Sequence, residues 1–156
     1  MSDHIDSDLW DAVYDGDVAL VSELIAQGAT VDSRSVGSTA LHKAAYFGDT
    51  PVVICLLEAG WSREARTNGG ETPLALAAVG GNPETVNYLL NKGANIDTQD
   101  GYGYTPLHRA SLSGRTEVIK TLLNRGADQT IRDNFGATAK DQAKNNQTRA
   151  AFRAEE

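Results

Sequence analysis

Segments of this chain recur at an interval of 33 residues, and this periodicity constrains the fold more than any other feature of the sequence. The segment Thr105-Pro106-Leu107-His108 has counterparts that begin at Thr72 and at Thr39. Glycines keep the same interval, at Gly37, Gly70, Gly103 and Gly136. A period of about 20 to 50 residues indicates stacked supersecondary units, each of which buries its apolar face against its neighbours. The sequence therefore predicts one domain, 1–156, built as a linear stack.

Each copy of the repeat predicts two short helices followed by an extended loop. The threonine stands where its hydroxyl can cap the first helix, and Pro73 and Pro106 follow at the first helical position. The second helix has apolar residues one turn apart, such as Val86 with Leu89, which places them on one helical face. The first helices have small residues there instead, such as Ala77, so that neighbouring helices can approach closely.

The Thr-Pro-Leu-His segment, the segment Gly126-Ala127-Asp128 and the 33-residue interval together resemble ankyrin repeats over nearly the whole chain. The resemblance implies an all-α solenoid of paired antiparallel helices with β-turn or hairpin loops. We expect about five units, the first and last of which are caps: 1–36, 37–69, 70–102, 103–135 and 136–153. We also expect residues 1–8 to be frayed and the first helix to begin at Leu9, because the leading residues have little to bury.

The composition narrows the classes of partner. The net charge is −7, and a protein that binds phosphate backbones needs a strong positive patch, so we expect no nucleic acid as a partner. No apolar run in the sequence is long enough to cross a membrane, and we expect neither a membrane as a partner nor an export leader. With Cys55 as the single cysteine, we expect a monomer in a reducing compartment, the cytosol or the nucleus.

The charge is unevenly distributed along the stack. Residues 1–36 contain eight acidic residues and one basic residue, Arg34, whereas the remainder of the chain has no net charge. Two interpretations stay open. In one, the first cap needs polar residues for solubility. In the other, the resulting electric field orients a charged partner along the stack.

No pattern of catalytic, metal-binding or cofactor-binding residues stands out, and we expect neither an enzyme nor a cofactor. His42 and His108 occupy the same repeat position, where the resemblance implies that histidine links the threonine hydroxyl to backbone groups of an adjacent loop. Ala75 holds this position in the third unit, so we expect that loop to be held less firmly. Cys55 lies in a helix rich in valine and leucine and is interpreted as a small buried apolar residue.

Aromatic residues give the best indication of a binding site. In ankyrin repeats the turn residues beside the glycine and the outward positions of the first helix line a concave face that binds partners. These positions hold the predicted partner-binding residues Tyr14, Val36, Lys43, Tyr46, Phe47, Tyr102, Tyr104, Arg109, Leu112 and Phe135. Tyrosine and arginine are enriched among residues that dominate interface energies. The third unit interrupts the row with residues such as Gly80. The alternative interpretation is that some of the rings only cover neighbouring turns.

The sequence thus predicts a protein-binding module that acts as a scaffold, adaptor or inhibitor. The alternatives are a structural, engineered or reconstructed solenoid without an evolved partner, and, less favoured, an enzyme or small-molecule receptor. Asp32 and Asp97 occupy the loop position that an asparaginyl hydroxylase modifies in some ankyrin repeats. The sequence does not predict where the side chain of Trp61 packs.

Overall fold

The computed structural model describes residues 2–30, 34–35 and 38–152, and this part of the chain forms nine helices and one short hairpin. The helices are α1 (Ser2–Asp15), α2 (Val18–Ala26), α3 (Ala40–Phe47), α4 (Thr50–Glu58), α5 (Pro73–Gly80), α6 (Pro83–Asn91), α7 (Pro106–Leu112), α8 (Thr116–Asn124) and α9 (Asn146–Ala151). The strands β1 (Arg34–Ser35) and β2 (Ser38–Thr39) pair antiparallel, with Arg34 opposite Thr39. Within the described ranges, no helix is both long enough and apolar enough to cross a membrane.

The helices form two layers that run the length of the stack. The first helices α1, α3, α5 and α7 contact one another in order, and so do the second helices α2, α4, α6, α8 and then α9. The core lies between the layers. Its fully buried leucines recur from unit to unit and include Leu41, Leu56, Leu74, Leu89, Leu107 and Leu122. This arrangement confirms the predicted all-α solenoid of paired helices, and each range assigned to a full repeat contains one pair.

The helix boundaries follow from local capping. Thr39, Thr72 and Thr105 each accept a hydrogen bond from the backbone N–H three residues later, which satisfies a donor that has no partner within the helix. After the second helices, Gly60 and Gly93 adopt φ values of 103° and 87°, which favour glycine. The sequence predicted these boundaries because each depends on residues within one helical turn.

The start of the chain differs from the prediction. Helix α1 begins at Ser2 rather than at Leu9. Ile5 packs against the core, and an oxygen of the Asp6 carboxylate accepts a hydrogen bond from the Thr30 backbone N–H at 3.2 Å. Acidic residues are also favourable near a helix N-terminus because they complement its dipole. These contacts hold the first turns of α1 to the rest of the first unit.

The closing unit is reduced to a turn and one helix. Thr138 accepts a hydrogen bond from the Asp141 backbone N–H at 3.3 Å, but residues 139–142 form turns rather than a helix. Helix α9 packs on α8, and Phe152 is buried immediately after α9. The last unit therefore covers the apolar end of the core with less structure than a full repeat.

Candidate binding face

The two repeat histidines are structural. His42 Nδ1 lies 3.2 Å from the backbone nitrogen of Thr39 and 2.7 Å from its hydroxyl oxygen, both within hydrogen-bond distance. Because Nδ1 accepts the N–H bond, Nε2 carries the proton and donates to the carbonyl oxygens of Ala65 at 2.8 Å and Glu71 at 3.0 Å. His108, two repeats later, makes the same contacts with Thr105, and its Nε2 donates to the carbonyl oxygen of Ala137 at 3.0 Å. Both ring nitrogens of each histidine are engaged, which confirms the role that the resemblance implied.

Cys55 is more exposed than expected. Its side chain is half-buried at the edge of the core, and its Sγ lies 3.2 Å from the Ser22 hydroxyl on the neighbouring second helix. Cys55 was predicted as a small buried apolar residue, and it is buried only in part because this helical position lies between the core and the outer surface. Within the described part of the chain, no three residues of the metal-ligating types are grouped in a way that could hold a metal ion.

Four predicted binding residues meet at the N-terminal end of the stack. We call Tyr14, Lys43, Tyr46 and Phe47 the N-terminal aromatic cluster. The Phe47 ring lies edge-on to Tyr14 and Tyr46, with centroid separations of 5.5 and 5.4 Å. All three rings are exposed, Tyr14 by 64%. Lys43 Nζ lies 4.7 Å from the ring centroids of both Tyr14 and Trp10, close enough for cation–π attraction.

Three more predicted residues meet on the turn of the fourth unit. We call Tyr102, Tyr104 and Arg109 the turn cluster. The two tyrosine rings stack at a centroid separation of 5.8 Å, and the Arg109 guanidinium lies 5.0 Å from the Tyr104 ring centroid. Tyr102 is 54% exposed, whereas Tyr104 is half-buried between its neighbours. Tyr102 is therefore the outermost ring of this cluster.

Two carboxylates of the same chain pair with Arg109. Its guanidinium pairs with Asp100 at 2.6 Å and with Glu71 at 3.1 Å, and the Asp100 side chain is only 1% exposed. The other Asp100 oxygen accepts hydrogen bonds from the backbone N–H groups of Tyr102 and Tyr104, at 2.9 and 3.1 Å. Arg109 thus positions the turn that presents the tyrosines, and its own charge is largely neutralised.

The next turn repeats this construction around Asp133. One of its carboxylate oxygens accepts hydrogen bonds from the backbone N–H groups of Phe135 at 2.8 Å and Ala137 at 3.0 Å, and the other from the Gln142 side chain at 2.7 Å. Burial raises the pKa of Asp133, but these hydrogen bonds outweigh it and leave the pKa below its ordinary value of 3.8. The turn leaves Phe135 73% exposed. Neither aspartate was predicted as part of the site, although each precedes a turn glycine by three residues.

Leu112 and Val36 complete the set of predicted binding residues. Leu112 is 36% exposed at the end of α7. Between the clusters, Gly80 leaves no room for a side chain, since a Cβ there would lie 2.0 Å from the Tyr46 carbonyl oxygen. Val36 and Asp32 lie outside the described residues.

Asp97, the other predicted hydroxylation site, joins two loops. Its carboxylate accepts a hydrogen bond from the Asp128 backbone N–H at 3.0 Å, as Glu64 does from Asn95 at 2.8 Å one unit earlier. The side chain is half-buried, and its hydroxylation stays a prediction.

Helix pairs stacked along the chain in two layers define the class of helical-repeat solenoids. The sequence model of the family described as ankyrin repeats (3 copies) matches residues 9–100 and 67–133. This chain belongs to the ankyrin repeat family. No curated protein sequence matches the chain. Ankyrin repeats are generally protein–protein interaction modules, and the family is typically non-enzymatic.

Proposed function

We propose that this chain is a protein-binding scaffold, adaptor or inhibitor that holds its partner on the concave face formed by the first helices and the turns. One observation supports this most directly. The described part of the chain exposes seven large hydrophobic residues, and Leu20 is the one that lies outside the predicted face. The six on it are Tyr14, Tyr46, Phe47, Tyr102, Leu112 and Phe135.

The geometry of these residues suits tight binding. Large aromatic side chains that lose water at an interface account for much of its binding energy. The edge-on contacts of Phe47 and the hydrogen bonds of Asp100 and Asp133 fix the rings and turns before the partner arrives. Preorganised side chains lose less conformational entropy on binding.

The nature of the partner follows from charge and surface chemistry. A net charge of −7 disfavours nucleic acid, and the exposed aromatic residues match the apolar side chains of another protein. We propose that the chain acts as a monomer, in the cytosol or nucleus, where its one cysteine stays reduced.

Alanine substitution tests the face. Affinity capture with the wild-type chain identifies candidate partners, and each is then titrated against Tyr46→Ala, Phe47→Ala, Tyr102→Ala and Tyr104→Ala. We expect at least one substitution to weaken binding by about 2 kcal/mol or more, because interface aromatics dominate binding energy.

Leu20→Ala is the matched control, since it removes an exposed hydrophobic side chain from outside the face. Its affinity for the partner should equal that of the wild type. Unchanged affinity in all four aromatic variants would contradict binding through this face. If affinity capture yields no protein whose binding differs between the wild type and these variants, a structural or reconstructed solenoid is favoured instead.

A further inference from the structure

A pocket lies on the second-helix side of the stack, away from the proposed binding face. It has a volume of about 240 Å³ and is lined by Leu57, Glu58, Trp61, Arg63, Tyr88 and Lys92. Trp61 stands where the following units have Ala94 and Ala127, and Tyr88 stands where its neighbours have Cys55 and Thr121. Two bulky departures from the repeat, in adjacent units, therefore meet in one pocket that the scaffold does not require.

The polar groups of the pocket are mostly hydrogen-bond donors. Trp61 is 4% exposed, and its indole N–H has no acceptor among the described residues. Buried donors without an acceptor are rare in folded proteins. Arg63 and Lys92 add two positive charges against the single carboxylate of Glu58, and Lys92 Nζ lies 5.6 Å from the Tyr88 ring centroid.

These features together specify a ligand. We propose that the pocket binds an aromatic monocarboxylate, whose ring packs against Leu57, Trp61 and Tyr88. Its carboxylate accepts hydrogen bonds from Arg63 and Lys92. An apolar cavity of about 150 Å³ is enough to hold benzene, so the volume here has room for a phenyl ring with a short acidic chain. The negative charge of Glu58 disfavours a second carboxylate on the ligand.

Nuclear magnetic resonance gives the first test. The chain has two tryptophans, so its spectrum contains two indole N–H signals, and Trp10→Phe assigns them. On titration with 3-phenylpropionate, we expect the Trp61 signal to shift and to saturate, because the ring of the ligand packs against the indole, while the Trp10 signal stays in place. The uncharged analogue 3-phenylpropanol should bind at least about tenfold more weakly, because it lacks the charge that Arg63 and Lys92 recognise.

Calorimetry of variants gives the second test. Trp61→Ala installs the residue that the neighbouring units have, so it should fold and lose binding. Arg63→Gln and Lys92→Gln should each weaken binding about three- to tenfold. Arg125→Gln is the matched control, since Arg125 is the counterpart of Lys92 one unit later and lies outside the pocket. Its affinity should not change.

A peptide that ends in phenylalanine carries the same ring and carboxylate. Tighter binding by this peptide than by 3-phenylpropionate identifies a protein C-terminus as the source of the ligand, and weaker binding identifies a free small molecule. The absence of a saturable shift with both probes, or equal binding by folded Trp61→Ala, would overturn the proposal.

Discussion

At the scale of single residues, two buried aspartates determine how the turns present their aromatic tips. Asp100 and Asp133 each bind two backbone N–H groups of their own turn with one oxygen. Their second oxygens differ, because Asp100 pairs with the Arg109 cation whereas Asp133 binds the neutral amide of Gln142. The same backbone turn is thus built with and without a compensating positive charge.

Asp133→Asn should make the stability of the protein depend less on pH in the acidic range. The folded-state pKa of Asp133 is lowered from 3.8, so its carboxylate stabilises the fold above that pH, and this contribution is lost as pH falls through the folded-state pKa. At pH 7 we expect the variant to be about 1 to 3 kcal/mol less stable, since its hydrogen bonds lose their charge. Urea denaturation at pH 7 and at about pH 3 measures this difference, which should shrink in acid. A difference that does not change with pH would contradict the prediction.

Leu89→Ala should lower the free energy of unfolding by roughly 2 to 5 kcal/mol. Leu89 is fully buried between the helix layers, so the truncation removes apolar contacts and leaves a cavity. Denaturant unfolding followed by circular dichroism measures the effect, with Leu20→Ala as the control because Leu20 is 38% exposed. Equal stability losses in the two variants would show that the third unit is not packed as described.

At the scale of elements, α5 packs tightly against α3 at Gly80. Alanine is a better helix former than glycine, and this difference alone would make Gly80→Ala stabilise α5 by about 1 kcal/mol. Here the added methyl would meet the Tyr46 carbonyl oxygen, so we expect the variant to lose about 1 to 3 kcal/mol of stability instead. Ser113→Ala, at the equivalent position one unit later, is the control and should change stability by less than about 0.5 kcal/mol. A Gly80→Ala variant more stable than the wild type would show that α5 can move away from α3.

The sequence predicted those elements whose boundaries depend on contacts between residues close together in the chain. The capping threonines and the glycines after the second helices act within one turn, and they predicted most boundaries. The start of α1 was missed because it depends on Asp6 meeting Thr30, 24 residues later. A one-dimensional pattern does not contain such contacts.

The same limit applies to the candidate site. The repeat fixes which positions point outward, so the exposure of Tyr46, Phe47 and Tyr102 could be predicted. The position of Arg109 could not, since it depends on Glu71, 38 residues earlier, and on Asp100, whose burial no local pattern indicates. The burial of Trp61 was likewise missed because it requires the neighbouring unit.

At the scale of the whole molecule, the negative charge is concentrated in the first unit. Residues 1–36 hold the whole net charge of −7, so their mutual repulsion acts on α1 and α2. Raising the salt concentration from about 0.02 M to about 0.5 M shortens the range of this repulsion to a few ångströms. We expect amide hydrogen exchange in α2 to slow by about two- to fivefold, with a smaller change in α8. Residue-resolved exchange measured by nuclear magnetic resonance checks this, and equal slowing in both helices would contradict it.

Successive loops are joined by the carboxylates of Glu64 and Asp97, each of which binds the backbone of the next unit. Because each unit contacts only its neighbours, tension applied to the two chain ends must pass through every such junction in series. The molecule then behaves as a spring whose compliance is the sum over its junctions, and it opens first at the weakest one. A partner bound across several turns bridges these junctions and stiffens the spring.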